Sequence, residues 1–174
     1  MVGRLVAVTN PEEIATLQAM AQPLLEPHGI LSAKWPATRE WLAMPVESAC
    51  HFDDRDAQLL AEAMVRFGGS TCFAIATEQL ASLPRCFRVD VSAEGLRTFS
   101  RECAHFNFVL LPACLSFAVL CTVFDYFVVA GPKSFVESAV GSTIIEAKER
   151  FFEFSSSSEE STALIAVARY YAGA

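Results

Sequence analysis

SFAVLCTVFDYFVVAGP, residues 116–132, holds a single charge, Asp125, and the fold turns on how this stretch is read. The uncharged run reaches back to Phe106, so 106–124 matches the roughly 20 apolar residues that a membrane helix requires. Asn107 and Pro112 interrupt its first half, and no basic cluster flanks it to set an orientation. Phe, Val and Thr dominate its second half, and these residues favour strands. Asp125 falls between the apolar runs Phe117 to Val123 and Tyr126 to Ala130, the pattern of a hairpin buried on both faces with Phe124 and Asp125 at its turn. Two central strands are expected, and no membrane span.

Working outward, Gly131-Pro132 is followed by Ser134-Phe-Val-Glu137, whose Ser-x-x-Glu spacing matches a capping box. Val136, Val140, Ile144, Ala147, Phe151 and Phe154 then predict one long helix across the sheet, with Gly141 inside it. SSSSEE (155–160) reads as a polar hinge before a last amphipathic helix, Ala163 to Tyr171. On the N-terminal side, CFRVDV (86–91) alternates as a half-buried strand, and Ser92 caps a helix carrying Leu96, Phe99, Cys103 and Phe106 on one face. TCFAIAT (71–77) reads as a buried strand. Asp53 and Asp54 open a helix with Leu59, Leu60, Ala63, Met64 and Phe67 as its stripe, stopped by Gly68-Gly69. Asn10, Pro11, Glu12 and Glu13 start another helix that Pro27 and Gly29 close, preceded by RLVAVT as a short strand or a helix lead-in. The stretch from Ile30 to Phe52 mixes Trp and Pro and reads as a short strand followed by irregular or briefly helical packing.

The 174 residues are 53% apolar and include 14 Phe, ample material for a core and incompatible with a wholly disordered chain. A net charge of −7 argues against a sequence-independent grip on nucleic acid, which needs clustered cations. Six cysteines have no framework spacing, and the N-terminus lacks a secretory pattern. A cytoplasmic protein with reduced thiols is expected.

His51, Asp53, Asp54 and Asp56 form the most metal-like cluster, but the calcium-loop signature is missing and a helix N-terminus accounts for the same acids. Cys103 and His105, and Cys50 beside His51, lack zinc spacing, although a Cys–His pair can also meet in space. No cofactor or metal is expected. Arg97 and Arg101 share one helix face and could hold an anion, but Glu94, Glu102 and Asp90 are within reach to pair with the Arg set that also includes Arg85 and Arg88.

The strand CFRVDV, the helix AEGLRTFSRECAHF, the paired strands ending in FDYFVVAGP and the helix opening at SFVESAVG together resemble small acidic bacterial immunity-type proteins, over about Arg85 to Phe154. Such proteins bind a toxin domain and block its active site or substrate groove. The resemblance implies a protein partner, such as a basic toxin domain, and no catalysis.

The expectation is therefore a single α+β domain over residues 1–174, with an antiparallel or mixed sheet of four to six strands and helices mainly on one face. A non-enzymatic, toxin-neutralising role leads. Asp53, Asp54, Asp56, Glu94 and Glu102 are the candidate partner-binding carboxylates, which would imitate the phosphates of the substrate if the target were a nuclease. The alternative is a small-molecule site or enzyme between the sheet and the long helix, with Arg97, Arg101, His105 or Tyr126 as its polar contacts. A third reading packs the last helix on a partner chain.

Overall fold

The computed structural model describes residues 5–27, 29–34, 39–48, 51–78 and 84–172. Its centre is the predicted hairpin. β6 (Ala118–Cys121) and β7 (Tyr126–Gly131) pair antiparallel, with Leu120 opposite Val128, and every residue of both is buried. Among the described residues no helix is long and apolar enough to cross a membrane.

The remaining strands are β1 (Leu5–Ala7), β2 (Leu42–Glu47), β3 (Thr71–Ala76), β4 (Cys86–Asp90) and β5 (Phe108–Leu111). They complete a seven-stranded sheet in the order β1-β4-β3-β5-β6-β7-β2, and every pairing is antiparallel. The strand count thus exceeds the expected four to six. β5 is hidden in the first half of the long apolar run, where Pro112 looked like an interruption and instead follows the strand's end. β2 lies where irregular or briefly helical packing was expected: Pro45 sits in its middle, which a strand tolerates at a sheet edge because one side of its backbone needs no donor.

Among the described residues the longer helices are α1 (Pro11–Ala21), α2 (Asp54–Gly68), α3 (Ala93–Cys103), α4 (Lys133–Val140), α5 (Ile144–Ser157) and α6 (Ser161–Ala172). They cover both faces of the sheet, not mainly one. Leu60 and Met64 of α2, Phe99 of α3 and Phe135 of α4 pack on Ala74, Phe108, Val119 and Phe127. Leu17 of α1, Phe151 of α5, and Leu164 and Tyr171 of α6 pack on Ile75, Val109, Leu120 and Val128. Alternate side chains of one strand point to opposite faces, so cover on both sides makes β5, β6 and β7 read as unbroken apolar runs.

The capping signals at the first three helices hold. Asn10 Oδ1 accepts from the Glu12 and Glu13 amides at 2.9 and 3.3 Å, Asp53 from the Asp56 amide at 2.7 Å, and Ser92 from the Gly95 amide at 3.0 Å. At Gly95 a Cβ would lie 2.0 Å from the Asp90 carbonyl oxygen, so this turn has no room for a side chain. α3 ends before Phe106, which packs from the following turn.

The expected long helix is two helices. Gly141 adopts φ +65° and closes α4, and the capping box belongs to Thr143 and Glu146 at the start of α5, not to Ser134 and Glu137. Ser134 lies inside α4. The break lets α5 pass around the β2 edge, with Ala147 in one core layer and Phe151 in the other. Of the polar stretch 155–160, residues Ser155 to Ser157 still belong to α5, with Ser155 fully buried. α6 packs on this chain's own sheet through Leu164 and Tyr171.

Candidate functional site

A cleft of about 440 Å³ opens where the end of β2, the start of α2, the β6–β7 turn and α5 meet. β2 brings Glu47 opposite Tyr126 of β7, and the Ser48 amide donates to the Asp125 carbonyl oxygen at 3.0 Å. These contacts set Glu47 and Asp125 side by side on one rim. His51 then turns the chain with φ +44°, held by a 2.7 Å hydrogen bond from Ser48 Oγ to its carbonyl. Asp53, Arg55 and Asp56 follow on the first turn of α2. Val140, Ala147, Phe151 and Phe154 make the apolar wall, beside which Arg150 also lies.

Four carboxylates therefore share the cleft with two guanidinium groups. Burial, then the Asp53 charge and more weakly Glu47, push the Asp56 carboxyl up to about 6; a hydrogen bond from the Asp53 backbone and the Arg55 charge oppose them. Arg150 donates to Ser142 Oγ at 2.5 Å. The electrostatic balance at Asp56 is anionic, beside an apolar surface.

The predicted carboxylates divide. Asp53 and Asp56 line the cleft, whereas Asp54 and Glu94 are gathered outside it by Arg97, at 3.4 and 3.0 Å. Glu102 and Arg101 are exposed on α3, away from the cleft lining. The proposed ligand contacts are not brought together either. Arg97 is engaged by carboxylates, His105 is exposed beyond α3, and Tyr126 is 7% exposed in the core layer on the far side of the sheet from α3. Arg88 pairs with Glu13 of α1 at 2.5 Å, a partner that sequence spacing could not indicate.

Glu47, Ser48, Arg55, Asp125 and Arg150 were missed as site residues. Asp125 had a signal, as the lone charge in the deciding stretch. Glu47 had none, because its strand was not recognised.

The thiol and metal readings lose their geometry. Cys103 is buried, and burial pushes its thiol up to about 12, far above that of a nucleophile beside the exposed His105. Cys50 lies outside the described residues. His51 stacks on Phe99 with ring centroids 5.5 Å apart, and its Nε2 lies 3.2 Å from the Phe106 carbonyl oxygen. Among the described residues no three His, Cys, Asp or Glu side chains are grouped to hold a metal ion.

A second hollow of about 340 Å³ lies outside β2 between α5 and α6, lined by Met44, Pro45, Phe152, Ala168 and Tyr171 among others. It is almost wholly apolar.

Against protein-family models, curated proteins and solved structures, the chain finds no match.

Proposed function

We propose that this chain is a non-enzymatic, cytoplasmic binding protein of the immunity type, which neutralises a toxin by docking a basic part of it on the acidic cleft. The observation that carries the reading is the cleft itself: Glu47, Asp53, Asp56 and Asp125 face one concave surface in a chain of net charge −7. Charge complementarity of this kind speeds encounter and fixes register, while a few buried anchors supply most of the affinity. The test is capture from source cells by the tagged protein, beside a variant carrying Asp53→Lys and Asp56→Lys, at low and high salt. The expected result is one basic protein, weakened by salt, lost with the variant, and toxic on expression unless this chain is co-expressed. Capture that survives both charge reversal and high salt, or a captured protein that is harmless alone, refutes the reading.

The cleft's dimensions also support a second reading, a small-molecule site between the sheet edge and α5. Its volume of about 440 Å³ lies within the usual range for ligand pockets. A ligand-dependent rise in Tm without any protein partner would favour it.

A further inference from the structure

We infer that the corner formed by Glu47, Asp53 and Asp56 receives the cationic side chain of an arginine- or lysine-bearing partner segment, with Phe124 on the neighbouring turn as the apolar anchor beside it. The inference deepens the partner-binding reading above by naming the chemistry of what this surface holds.

Three features of the cleft select that occupant. Asp53 and Glu47 both act on Asp56 as like charges, and Arg55 is the cation that opposes them there. Arg150, the other cation of the cleft, keeps its charge but is held toward Ser142, to which it donates at 2.5 Å. An anionic group entering the corner would meet three carboxylates against the single Arg55, whereas a guanidinium or ammonium would meet a net complementary charge.

Phe151 and Phe154 supply the second feature. They line the same cleft, and the long methylene stems of Arg and Lys pack on such surfaces while their heads reach carboxylates. A compact inorganic cation would leave this wall unused.

The rim is the third. Phe124 is 53% exposed and Val123 45% exposed, in the turn that also carries Asp125 into the cleft. The Phe124 ring stacks on Tyr126, whose own ring meets Phe151, so a line of aromatic side chains runs from the cleft wall to the surface. Exposed aromatic side chains held by packing are the residues that dominate binding when a partner covers them. A peptide with apolar residues flanking one basic residue fits both parts of this surface.

The probes are acetyl-Leu-Arg-Leu-amide and its citrulline counterpart, which keeps the shape and removes the charge. Each is titrated into the ¹⁵N-labelled full chain and followed by amide chemical shifts. The expected result is saturable shifts at residues 47, 53, 56 and 125 for the arginine peptide only, abolished by high salt. Asp56→Asn should weaken that binding by about tenfold, the loss typical of one close charge pair. Phe124→Ala should weaken it severalfold without altering the salt dependence. Equal shifts from both peptides, or shifts confined to residues outside the cleft, overturn the inference. Peptide binding with no protein captured from cells would retain the corner's chemistry and remove the toxin reading. A salt-sensitive partner whose capture tolerates Glu47→Lys and Asp56→Lys would do the reverse.

Discussion

At residue scale the two perturbed groups at the start of α2 act on stability in opposite directions. Burial holds His51 down at about 4, from its ordinary 6.5. As pH falls below 6.5 the unfolded chain takes up a proton that the folded chain refuses, so stability falls from there to about pH 4. The full effect is about 3 kcal/mol. Asp56 is raised from 3.8 to about 6, so the folded chain binds its proton first, and stability rises as pH falls through that window. Asp56→Asn should therefore stabilise the protein at pH 7 by about 1 kcal/mol, after discounting for partial solvent screening. The variant should also lose about 2 kcal/mol between pH 7 and 4.5 while the wild-type chain loses less, because the opposing carboxyl is gone. Urea unfolding of both at the two pH values reads the difference, and parallel pH profiles would show that Asp56 carries no such burden. A carboxylate that weakens the free protein is the kind of residue a binding surface retains. Neither perturbed value was legible in the sequence. HFDDRD marked the helix start correctly, but the distinction between Asp54 facing Arg97 and Asp56 facing the cleft depends on burial created by β2 and α5.

At element scale the consequential event is the break between α4 and α5. The apolar positions from Val136 to Phe154 keep helical spacing straight through Gly141, so periodicity alone predicts one helix. Two local features end it: Gly141 at φ +65° closes α4, and Thr143 with Glu146 opens α5. Thr143→Ala should lower stability by about 1 kcal/mol through loss of the cap. Gly141→Ala should destabilise by about 1–2 kcal/mol, since the left-handed conformation is strained for alanine. Its Cβ would also lie 2.7 Å from a Leu59 methyl. Thermal and urea unfolding check both, and a Gly141→Ala variant more stable than the wild type would mean that the chain prefers the continuous helix. Asn10, Asp53 and Ser92, by contrast, were recognisable as caps because each acts on an amide two or three residues away. Ser134-x-x-Glu137 shows the limit of such signals: Pro132 already begins α4 too early for Ser134 to cap it.

At the scale of the whole molecule, α6 is part of the core. Leu164 and Tyr171 are buried against the sheet, and Tyr171 Oη donates to the Leu31 carbonyl oxygen at 2.8 Å, joining the last helix to the segment after α1. Deleting everything after Ser158 should leave a strongly destabilised chain with reduced near-ultraviolet dichroism, because uncovering one large buried side chain alone removes about 2–3 kcal/mol. A truncated protein that unfolds as cooperatively and at the same Tm would place α6 outside the core.

The sequence by itself determined the central hairpin, most helix starts and the α+β class. These rest on interactions within a few residues or on an apolar run too long and too strand-like to be anything but interior. Tertiary structure alone decided the cover on both faces, the strand order and the cleft. Glu47, Asp56 and Asp125 meet because β2 joins the sheet beside β7, far from it in sequence, and because α5 rounds that edge. Such long-range placement follows from how whole layers bury one another, and no local pattern of residues encodes it.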